Sequence, residues 1–565
     1  MRDLQKLLKQ FKLDGYLVPK NDEYFNEYIN PSDDRLRFVT NFTGSAGFSV
    51  ILNKKKYLFV DGRYTAQAKL QVGKKFKVIT IPNKLPRNVL KFKRRLIVGF
   101  DPKLHTEHQL NFLFKRTNIS LKPIRQNLID VIWKKKPKDK VKPFFLIKNK
   151  YAGKTFQKKI YDLKKILFKK NLDILLVTAP ENVAWLLNLR GFDTSYSPIP
   201  NCRLLINKNG NILLYANPKK VNKINNKLKG VIFRNESSLE KDLSNLNKRK
   251  ILLDLFSCSI FFKDILKKKN YLYLKIDPIY FMKSIKNKYE INNIKKSHLI
   301  DGVALTKFLI WLKKNFKKNK ISEIYAQNKL ESFRKKNPMY KFPSFDTISG
   351  SGPNSSIIHY RATNKSNRIL KQGDLYLVDS GGQYSFGTTD VTRTISLGNK
   401  SNYIKEVFTR VLKGHIAVSN FKIKKNSSGA EVDKKARKFL NQINLDYPHG
   451  TGHGVGYFLN VHEGPQSLSK NNKIHLKNGM ILSNEPGYYK EGNFGIRIEN
   501  LVYIKNNKFK ELTFSPIEKD LIDKNFLTKS EIDWINNYHK IVKNNLFKFM
   551  SQSEKKELNK ACLPI

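Results

Sequence analysis

The sequence predicts a multidomain protein of mixed α/β class, and three features support this. Its 565 residues exceed what one hydrophobic core usually organises, so roughly two to four domains are expected. The N-terminal half alternates short apolar strand patterns with helical stretches, which is typical of α/β layers. The region from His359 to Glu499 places acidic residues and histidines on apolar strands and glycine-rich turns, which indicates a strand-rich domain carrying a functional site.

Composition places the chain among globular proteins of a reducing compartment. Apolar residues make up 40% and aromatic residues 12% of the sequence, which is ample for packed cores. The three cysteines (Cys202, Cys258 and Cys562) are widely spaced, so neither a disulfide framework nor a thiolate metal site is predicted.

The positive charge is large but dispersed. There are 108 lysines and arginines against 46 acidic residues, a formal net charge of +62. Such a balance ordinarily suggests nucleic acid or an anionic membrane as a partner. Here the lysines are scattered through every segment and no nucleic-acid recognition motif accompanies them. A compositional bias explains the charge better, and no specific nucleic-acid partner is predicted.

The chain begins with an amphipathic helix over residues 1–12, whose apolar residues stand at positions 4, 7, 8 and 11. It contains no apolar core of signal-peptide length. No apolar run reaches the roughly 18 residues of a membrane-spanning helix, so a soluble, cytoplasmic protein without a membrane partner is expected.

Two α/β domains are expected to follow. Apolar runs predict strands in the first domain, at 15–18, 47–52, 56–60, 76–80 and 96–100. In the second domain, 172–177 resembles 13–18, and 203–215 is predicted as a hairpin with an Asn-Gly turn. A basic, proline-containing stretch at 134–143 is predicted as the linker.

The pattern becomes helical from about residue 287. Apolar residues at helical spacing predict helices over 291–314 and 322–335, and further helices beyond Ile517. The predicted domains are therefore 1–135, 144–286 and 287–565, the last with a helical C-terminal tail.

The strand-rich region carries its acidic residues in distinct motifs. Asp379 ends the apolar run 374–379, and Asp390 lies in a β-branched run predicted as a strand over 387–395. Their spacing fits two paired strands that direct both carboxylates to one place. In a predicted strand over 495–503, alternation puts Glu499 on the face opposite the neighbouring isoleucines, where burial costs several kcal/mol unless the carboxylate is paired or metal-bound.

The histidines of this region do not form a helical zinc motif. His449 and His453 are four residues apart, but the glycines between and after them make a helix improbable. His462 begins a His-Glu-x-x-His pattern that fails because position 466 is glutamine. Four carboxylates (Asp379, Asp390, Glu485 and Glu499) and one imidazole are instead a sound ligand set for two divalent cations, and such ligands suit Mn²⁺, Co²⁺ or Zn²⁺.

These residues resemble those of the metal-dependent Xaa-Pro aminopeptidases (aminopeptidase P) in their long, three-domain form. The resemblance extends over nearly the whole chain and includes motifs at 42–47, 60–64, 182–191 and 357–360. It implies two similar creatinase-like N-terminal α/β domains followed by a catalytic domain of the pita-bread fold, which prolidase, creatinase and methionine aminopeptidase share.

The resemblance also implies a role for each site residue. Asp379 would chelate one metal ion, His453 and Glu485 would hold the other, and Asp390 and Glu499 would bridge the two. Glu485 would also act as the general base. Four further residues would position the substrate, stabilise developing charge or support the ligands: His359, His449, His462 and Arg497.

The implied activity is hydrolysis of the N-terminal Xaa-Pro bond of peptides by a water bound to two metal ions, most simply Mn²⁺, with a homodimer as the family's expected assembly. A prolidase-type Xaa-Pro dipeptidase and a non-catalytic pita-bread binding module are the alternatives. The full-length layout disfavours the dipeptidase, and the intact ligand set disfavours the binding module.

Overall fold

Helices and strands alternate through the first half of the chain in the predicted order. The computed structural model describes residues 2–565, and the chain divides into two units, Met1–Met282 and Lys283–Ile565. None of the helices formed by residues 2–565 combines the length and the apolar character needed to cross a membrane.

The first unit opens with a six-stranded sheet in the order β4-β3-β2-β1-β5-β6. Its elements are α1 Arg2–Gln10, β1 Gly15–Pro19, α2 Arg35–Thr40, β2 Gly47–Leu52, β3 Lys56–Asp61, α3 Thr65–Val72, β4 Lys77–Ile81, α4 Pro86–Val89, β5 Leu96–Phe100, α5 Glu107–Phe114, β6 Ile119–Pro123 and α6 Leu128–Ile132. All five predicted strands form, and β6, which the sequence did not reveal, covers the edge of the sheet beside β5.

A second six-stranded sheet follows, in the order β12-β11-β10-β8-β13-β14. The elements of this part are β7 Phe145–Leu146, α7 Asn149–Ala152, α8 Phe156–Lys169, β8 Ile174–Val177, α9 Pro180–Leu186, β9 Leu189–Arg190, β10 Arg203–Asn207, β11 Ile212–Ala216, α10 Pro218–Val221, β12 Val231–Asn235, α11 Leu239–Ser244, β13 Lys250–Asp254, α12 Ile260–Lys267, β14 Tyr271–Lys275 and α13 Pro278–Ser284. The predicted hairpin is the antiparallel pair β10–β11.

The two sheets repeat one plan. In each sheet, the first strand along the chain pairs antiparallel with the second and parallel with the fifth. Each of the two edge strands is parallel to the strand next to it. A buried aspartate marks the same place in both, because Asp101 directly follows β5 and Asp254 ends β13. Each carboxylate accepts backbone N–H groups of the turn that follows it. The predicted pair of similar α/β domains is thus confirmed.

The second unit contains the strand-rich region and the C-terminal helices. Its elements after α13 are α14 Lys288–Asn315, α15 Glu323–Lys335, β15 Tyr340–Pro343, β16 Ile348–Ser351, β17 Leu375–Ser380, β18 Gly382–Tyr384, β19 Gly387–Thr388, β20 Val391–Ser396, α16 Asn402–Ser419, α17 Gly429–Asn441, β21 Gly452–Gly454, β22 Glu463–Leu468, β23 Ile481–Asn484, β24 Gly487–Lys490, β25 Phe494–Arg497, β26 Asn500–Lys505, β27 Lys508–Glu511, α18 Lys529–Leu546 and α19 Gln552–Ala561. Its small sheets have the orders β15-β18-β19, β16-β17-β20, β22-β21-β23-β26-β27 and β24-β25.

Helices support the sheet that holds the first carboxylate. Helix α14 starts in a capping box, in which the side chains of Asn287 and Glu290 each accept the other's backbone N–H. The apolar face of α14 packs into a hydrophobic cluster with Tyr376 and Val378 of β17. Because successive side chains of a strand alternate, Asp379 shares the opposite face of β17 with Leu377.

Two of the predicted strands are each broken at an acidic residue. The run 387–395 forms β19 and β20, with Asp390 in the gap between them, and the run 495–503 forms β25 and β26, with Glu499 in the gap. Prediction of single strands was therefore wrong at these two points. The breaks free both carboxylates from strand alternation, so tertiary contacts alone decide where they point.

The three-domain division at 1–135, 144–286 and 287–565 stays a prediction. The basic stretch 134–143 has no helix or strand and is mostly exposed.

Candidate metal centre

Strand pairing brings the two aspartates together. Strands β17 and β20 are antiparallel, with Asp379 opposite Thr392. Asp390 lies just before β20, where the chain enters the strand. Both aspartates are buried. The predicted pairing of the two strands that carry Asp379 and follow Asp390 is confirmed.

The other three predicted ligands come from neighbouring segments of the same unit. His453 lies in β21 beside β23, and Glu485 directly follows β23. Glu499 stands between β25 and β26, and its backbone N–H donates to the carbonyl of Thr392 at 3.2 Å. Ligand-competent atoms of Asp390, His453 and Glu499 all lie within 4.8 Å of one another.

His453 is oriented as a metal-binding histidine would be. Its Nδ1 donates to the carbonyl of Gly454 at 2.9 Å, which leaves the lone pair of Nε2 available. That Nε2 lies 3.4 Å from Asp390 Oδ2 and 3.4 Å from Glu485 Oε1. A histidine that donates its second ring N–H to a backbone carbonyl is the usual arrangement at metal sites.

Two buried carboxylate oxygens in this cluster accept no hydrogen bond: Asp379 Oδ1 and Glu499 Oε1. The other oxygen of each is engaged, since Arg497 Nη2 donates to Asp379 Oδ2 at 2.7 Å and Thr392 Oγ1 donates to Glu499 Oε2 at 2.8 Å. A buried carboxylate oxygen without a donor is costly unless a cation faces it. The donor set therefore fits divalent cations.

The ionisation of these carboxylates reflects their crowding. Burial, reinforced by the charges of Asp390, Asp379 and Glu485, raises the pKa of Glu499 well above its ordinary value. Burial also raises the pKa of Asp379, against the opposing charge of Arg497. Bound cations would remove this cost, because they favour the charged form of every carboxylate around them.

Glu485 differs from these carboxylates. Burial opposes its ionisation, but the positive charge that the surrounding groups can carry, Arg497 among them, lowers its pKa below the ordinary value. Ser483 Oγ donates to Glu485 Oε1 at 3.0 Å and accepts the backbone N–H of His453 at 2.9 Å. Glu485 is thus ionised at neutral pH and held in place.

A chain of hydrogen bonds links Asp379 to His449. Arg497 Nη1 donates to the hydroxyl of Tyr489 at 2.6 Å, and that hydroxyl lies 2.9 Å from His449 Nε2. His449 Nδ1 lies 2.8 Å from the carbonyl of Gly450 and must donate to it. His449 Nε2 therefore accepts from Tyr489. Burial lowers the pKa of His449 to about 4, so both ring nitrogens of this neutral histidine are engaged.

The remaining two histidines lie differently. His462 is exposed, and its ring centroid is 4.1 Å from that of His453. His359 is half-buried, and the carbonyl of the preceding Ile358 accepts from Arg497 Nη2 at 3.4 Å. The structure thus places His453 and His462 side by side, and it holds the chain beside His359 against Arg497.

An aromatic pair, Tyr457 and Phe458, follows His453 in the sequence. Both side chains are buried, at 2% and 3% exposure. Asn293 Nδ2 donates to the hydroxyl of Tyr457 at 3.1 Å. Both side chains therefore belong to the packed interior.

Sequence reasoning missed the residues that hold this site together. Thr392 and Tyr489 contact Glu499, Arg497 and His449 directly, but a threonine in a β-branched strand and a tyrosine in a hairpin carry no special pattern. Glu323 was also missed; its buried carboxylate accepts the backbone N–H of Ser351 at 2.7 Å.

Four family models match consecutive parts of the chain. Residues 1–130 and 135–290 each match a family described as the creatinase/prolidase N-terminal domain. Residues 292–506 match metallopeptidase family M24, and residues 506–565 match the C-terminal region of peptidase M24.

Curated relatives match along nearly the whole chain. A probable Xaa-Pro aminopeptidase P of Laccaria bicolor is 37% identical over 95% of this chain and 88% of its own length. Xaa-Pro aminopeptidase 1 of Dictyostelium discoideum is 36% identical over 95% of this chain and 91% of its own length.

Solved structures agree with these relatives. X-prolyl aminopeptidase of Caenorhabditis elegans, described as a cytosolic enzyme with a di-nuclear active site, superimposes with a TM-score of 0.94 at 30% identity, covering 100% of this chain and 99% of that one. A prolidase of Pyrococcus horikoshii reaches a TM-score of 0.53 at 27% identity and covers only 64% of this chain and 99% of that one. The chain belongs to the Xaa-Pro aminopeptidase P family, within metallopeptidase family M24.

Proposed function

We propose that the chain is a metal-dependent aminopeptidase that releases the first residue of peptides whose second residue is proline. One observation carries the proposal: the buried oxygens Asp379 Oδ1 and Glu499 Oε1 accept no hydrogen bond, and the ligand atoms of Glu499, Asp390 and His453 lie within 4.8 Å of one another. The family match over the full length favours a tripeptide-cleaving enzyme over a prolidase, since the prolidase named above covers only 64% of the chain.

The residues that would hold two divalent cations are Asp379, Asp390, His453, Glu485 and Glu499. When bound, such cations supply activation of the attacking water and polarisation of the scissile carbonyl. Mn²⁺ is our proposed metal, because four of the five proposed ligands are hard carboxylate oxygens; Co²⁺ and Zn²⁺ would fit the same residues.

Glu485 is the proposed general base. Its pKa lies below the ordinary value of 4.5, so it is ionised at neutral pH and can accept a proton from the attacking water. The water oxygen bonds to the scissile carbon, the carbon–nitrogen bond to proline breaks, and the proline nitrogen leaves with the proton that Glu485 accepted. In this proposal His462, which is exposed and whose ring lies beside that of His453, donates a hydrogen bond to the oxyanion of the tetrahedral intermediate.

The other two histidines and the arginine have supporting roles in this proposal. Arg497 fixes Asp379 and, through Tyr489, orients neutral His449. His359 completes the oxyanion environment, because the chain beside it is held against Arg497. We further propose a cytoplasmic homodimer whose N-terminal part comprises two domains, 1–135 and 144–286, ahead of the catalytic domain 287–565.

The test compares Arg-Pro-Pro with Arg-Ala-Pro under identical Mn²⁺ conditions, with the dipeptide Arg-Pro as a third substrate. We expect kcat/KM to be roughly 10–200-fold higher for Arg-Pro-Pro, the range that one well-filled apolar group provides. Proline's fixed φ adds to this preference by reducing the ordering cost of the bound peptide. Equal values for the two tripeptides would refute the proline specificity, and cleavage restricted to Arg-Pro would indicate a prolidase.

Metal dependence is tested on the same substrate. Dialysis against a chelator should abolish cleavage of Arg-Pro-Pro, and Mn²⁺ should restore it. The variant Asp379→Asn serves as the control, because it should stay inactive after Mn²⁺ is returned. Full activity in protein shown by elemental analysis to be metal-free would refute the metallopeptidase assignment.

A further inference from the structure

Arg393 is a buried cation that the proposed chemistry does not use. Its side chain is 1% exposed, and all three of its guanidinium nitrogens donate hydrogen bonds. The acceptors are all neutral oxygens rather than carboxylates; they are the carbonyls of Thr392, Glu499, Ser515 and Pro516, the amide oxygen of Asn500 and the hydroxyl of Tyr538. A buried arginine satisfied in this way fixes the backbone of several segments at once.

Two of those acceptors belong to the segments that carry the proposed bridging carboxylates. Arg393 Nη1 donates to the carbonyl of Glu499 at 2.7 Å and to that of Thr392 at 2.8 Å. Thr392 in turn binds Glu499 twice, through its hydroxyl and its carbonyl, and lies two residues after Asp390. Because Thr392 and Arg393 are adjacent on β20, their side chains point to opposite faces. Arg393 therefore supports both carboxylate segments from behind.

The other acceptors belong to the C-terminal part of the chain. Arg393 Nε donates to the carbonyl of Pro516 at 2.9 Å, and Nη2 donates to the carbonyl of Ser515 at 2.8 Å and to the hydroxyl of Tyr538 on α18 at 2.9 Å. The Tyr538 hydroxyl also lies 2.9 Å from the carbonyl of Ser515. One guanidinium thus connects helix α18 to the backbone of Glu499.

Glu499 requires such external support. It stands in the gap between β25 and β26, where no strand ladder fixes its orientation. A carboxylate that must face two cations tolerates little displacement, and residues that orient a ligand without touching the metal typically contribute 10–100-fold to metal affinity.

We propose that Arg393 is a positioning residue for the two proposed bridging carboxylates, and that through Tyr538 it makes helix α18 part of the support of the metal centre. The inference rests on the proposed dinuclear site. Arg393 itself touches neither substrate nor metal in this scheme; it acts through Glu499 and Thr392.

The test measures Mn²⁺ binding to the full-length protein by competition with a chelator, together with the melting temperature of the metal-free protein. The key variant is Arg393→Lys, which keeps the charge but has one nitrogen in place of three. We expect its Mn²⁺ affinity to fall about 10–100-fold. At saturating Mn²⁺, KM for Arg-Pro-Pro should stay near the wild-type value, because no substrate contact is lost.

The matched control is Val542→Ala. Val542 lies one helical turn after Tyr538 on the same face of α18, is fully buried, and makes none of the hydrogen bonds to Arg393. The substitution should lower the melting temperature, because it opens a cavity. It should leave the Mn²⁺ affinity within about twofold of wild type, because Val542 shares no hydrogen-bond partner with Arg393 and distant sites act independently.

Each outcome decides the question. Wild-type affinity in Arg393→Lys, or an equal loss in Val542→Ala, would overturn the inference. If Arg393→Lys does not fold, Tyr538→Phe takes its place. Its Mn²⁺ affinity should fall about fivefold, the scale of one hydrogen bond. Unchanged Mn²⁺ binding in Tyr538→Phe would equally overturn the inference. Failure of the wild-type protein to bind Mn²⁺ would instead refute the metal centre.

Discussion

The sharpest prediction concerns Glu499→Gln in metal-free protein. Glu499 is 1% exposed, and burial together with three neighbouring carboxylates raises its pKa well above the ordinary value of 4.5. Above pH 4.5 the folded protein therefore retains a proton that the unfolded chain has lost. Because the folded state then binds more protons than the unfolded state, the free energy of unfolding falls as pH rises through this window.

The magnitude follows from one proton. A difference of one bound proton changes the free energy of unfolding by about 1.4 kcal/mol per pH unit. As the pH rises from 5 to 7, the metal-free wild-type protein should therefore lose stability, at most by that amount per pH unit, while Glu499 keeps its proton. Glutamine carries no such proton, so the melting temperature of Glu499→Gln should rise relative to that of wild type over the same pH range.

Adding Mn²⁺ should make the wild-type protein more stable than Glu499→Gln. A ligand at 100 times its dissociation constant stabilises a folded protein by about 2.7 kcal/mol per site, and Glu499→Gln should lose most of this gain because one of the proposed metal ligands is gone. The assay is thermal unfolding from pH 5 to 7, with chelator and with Mn²⁺. Glu323→Gln is the control, since it alters another buried carboxylate but should keep the Mn²⁺ stabilisation. A constant difference between wild type and Glu499→Gln at all pH values with chelator would refute the reasoning.

Three further predictions concern single side chains. Asp390→Asn should lose bound metal as well as turnover, by elemental analysis and Arg-Pro-Pro cleavage; a fully loaded variant would contradict its bridging role. His462→Ala should keep both metal ions and lose about 10²–10⁴-fold in kcat, the scale of one proton-transfer group or oxyanion donor, so purification without metal would show that the role is misassigned. Glu323→Gln should keep its metal and lose roughly tenfold in kcat, on the scale of one to two hydrogen bonds, because its carboxylate holds Ser351 and the hydroxyl of Tyr360 beside His359; an unchanged kcat would mean that Glu323 serves stability alone.

The N-terminal sheet shows how much secondary structure a local sequence pattern can predict. All five strands predicted in the first sheet form, because each is a short apolar run bounded by turn residues, which is information contained within a few positions. Strand β6 was missed because its sequence, Ile-Ser-Leu-Lys-Pro, is half-exposed at a sheet edge and lacks a continuous apolar signal.

The five proposed ligands were likewise identifiable because each lies in a motif of its own. Their supporting contacts were not. Arg497 reaches Asp379 across 118 positions, His449 reaches Tyr489 across 40, and Arg393 reaches Tyr538 across 145. No periodicity or spacing rule encodes such distant pairs.

By itself the sequence predicted the first five strands of the N-terminal sheet, the β10–β11 hairpin, helices α14 and α15, and the acidic and histidine side chains proposed for the metal centre, because apolar periodicity, turn residues and local motifs act over a few positions. Only the tertiary structure decided that the strands break at Asp390 and Glu499, that His449 is neutral with both nitrogens engaged, and that Tyr457 is buried core. The physical reason is that a break, a tautomer or a burial state depends on hydrogen-bond partners and packing neighbours that the chain brings together only when it folds.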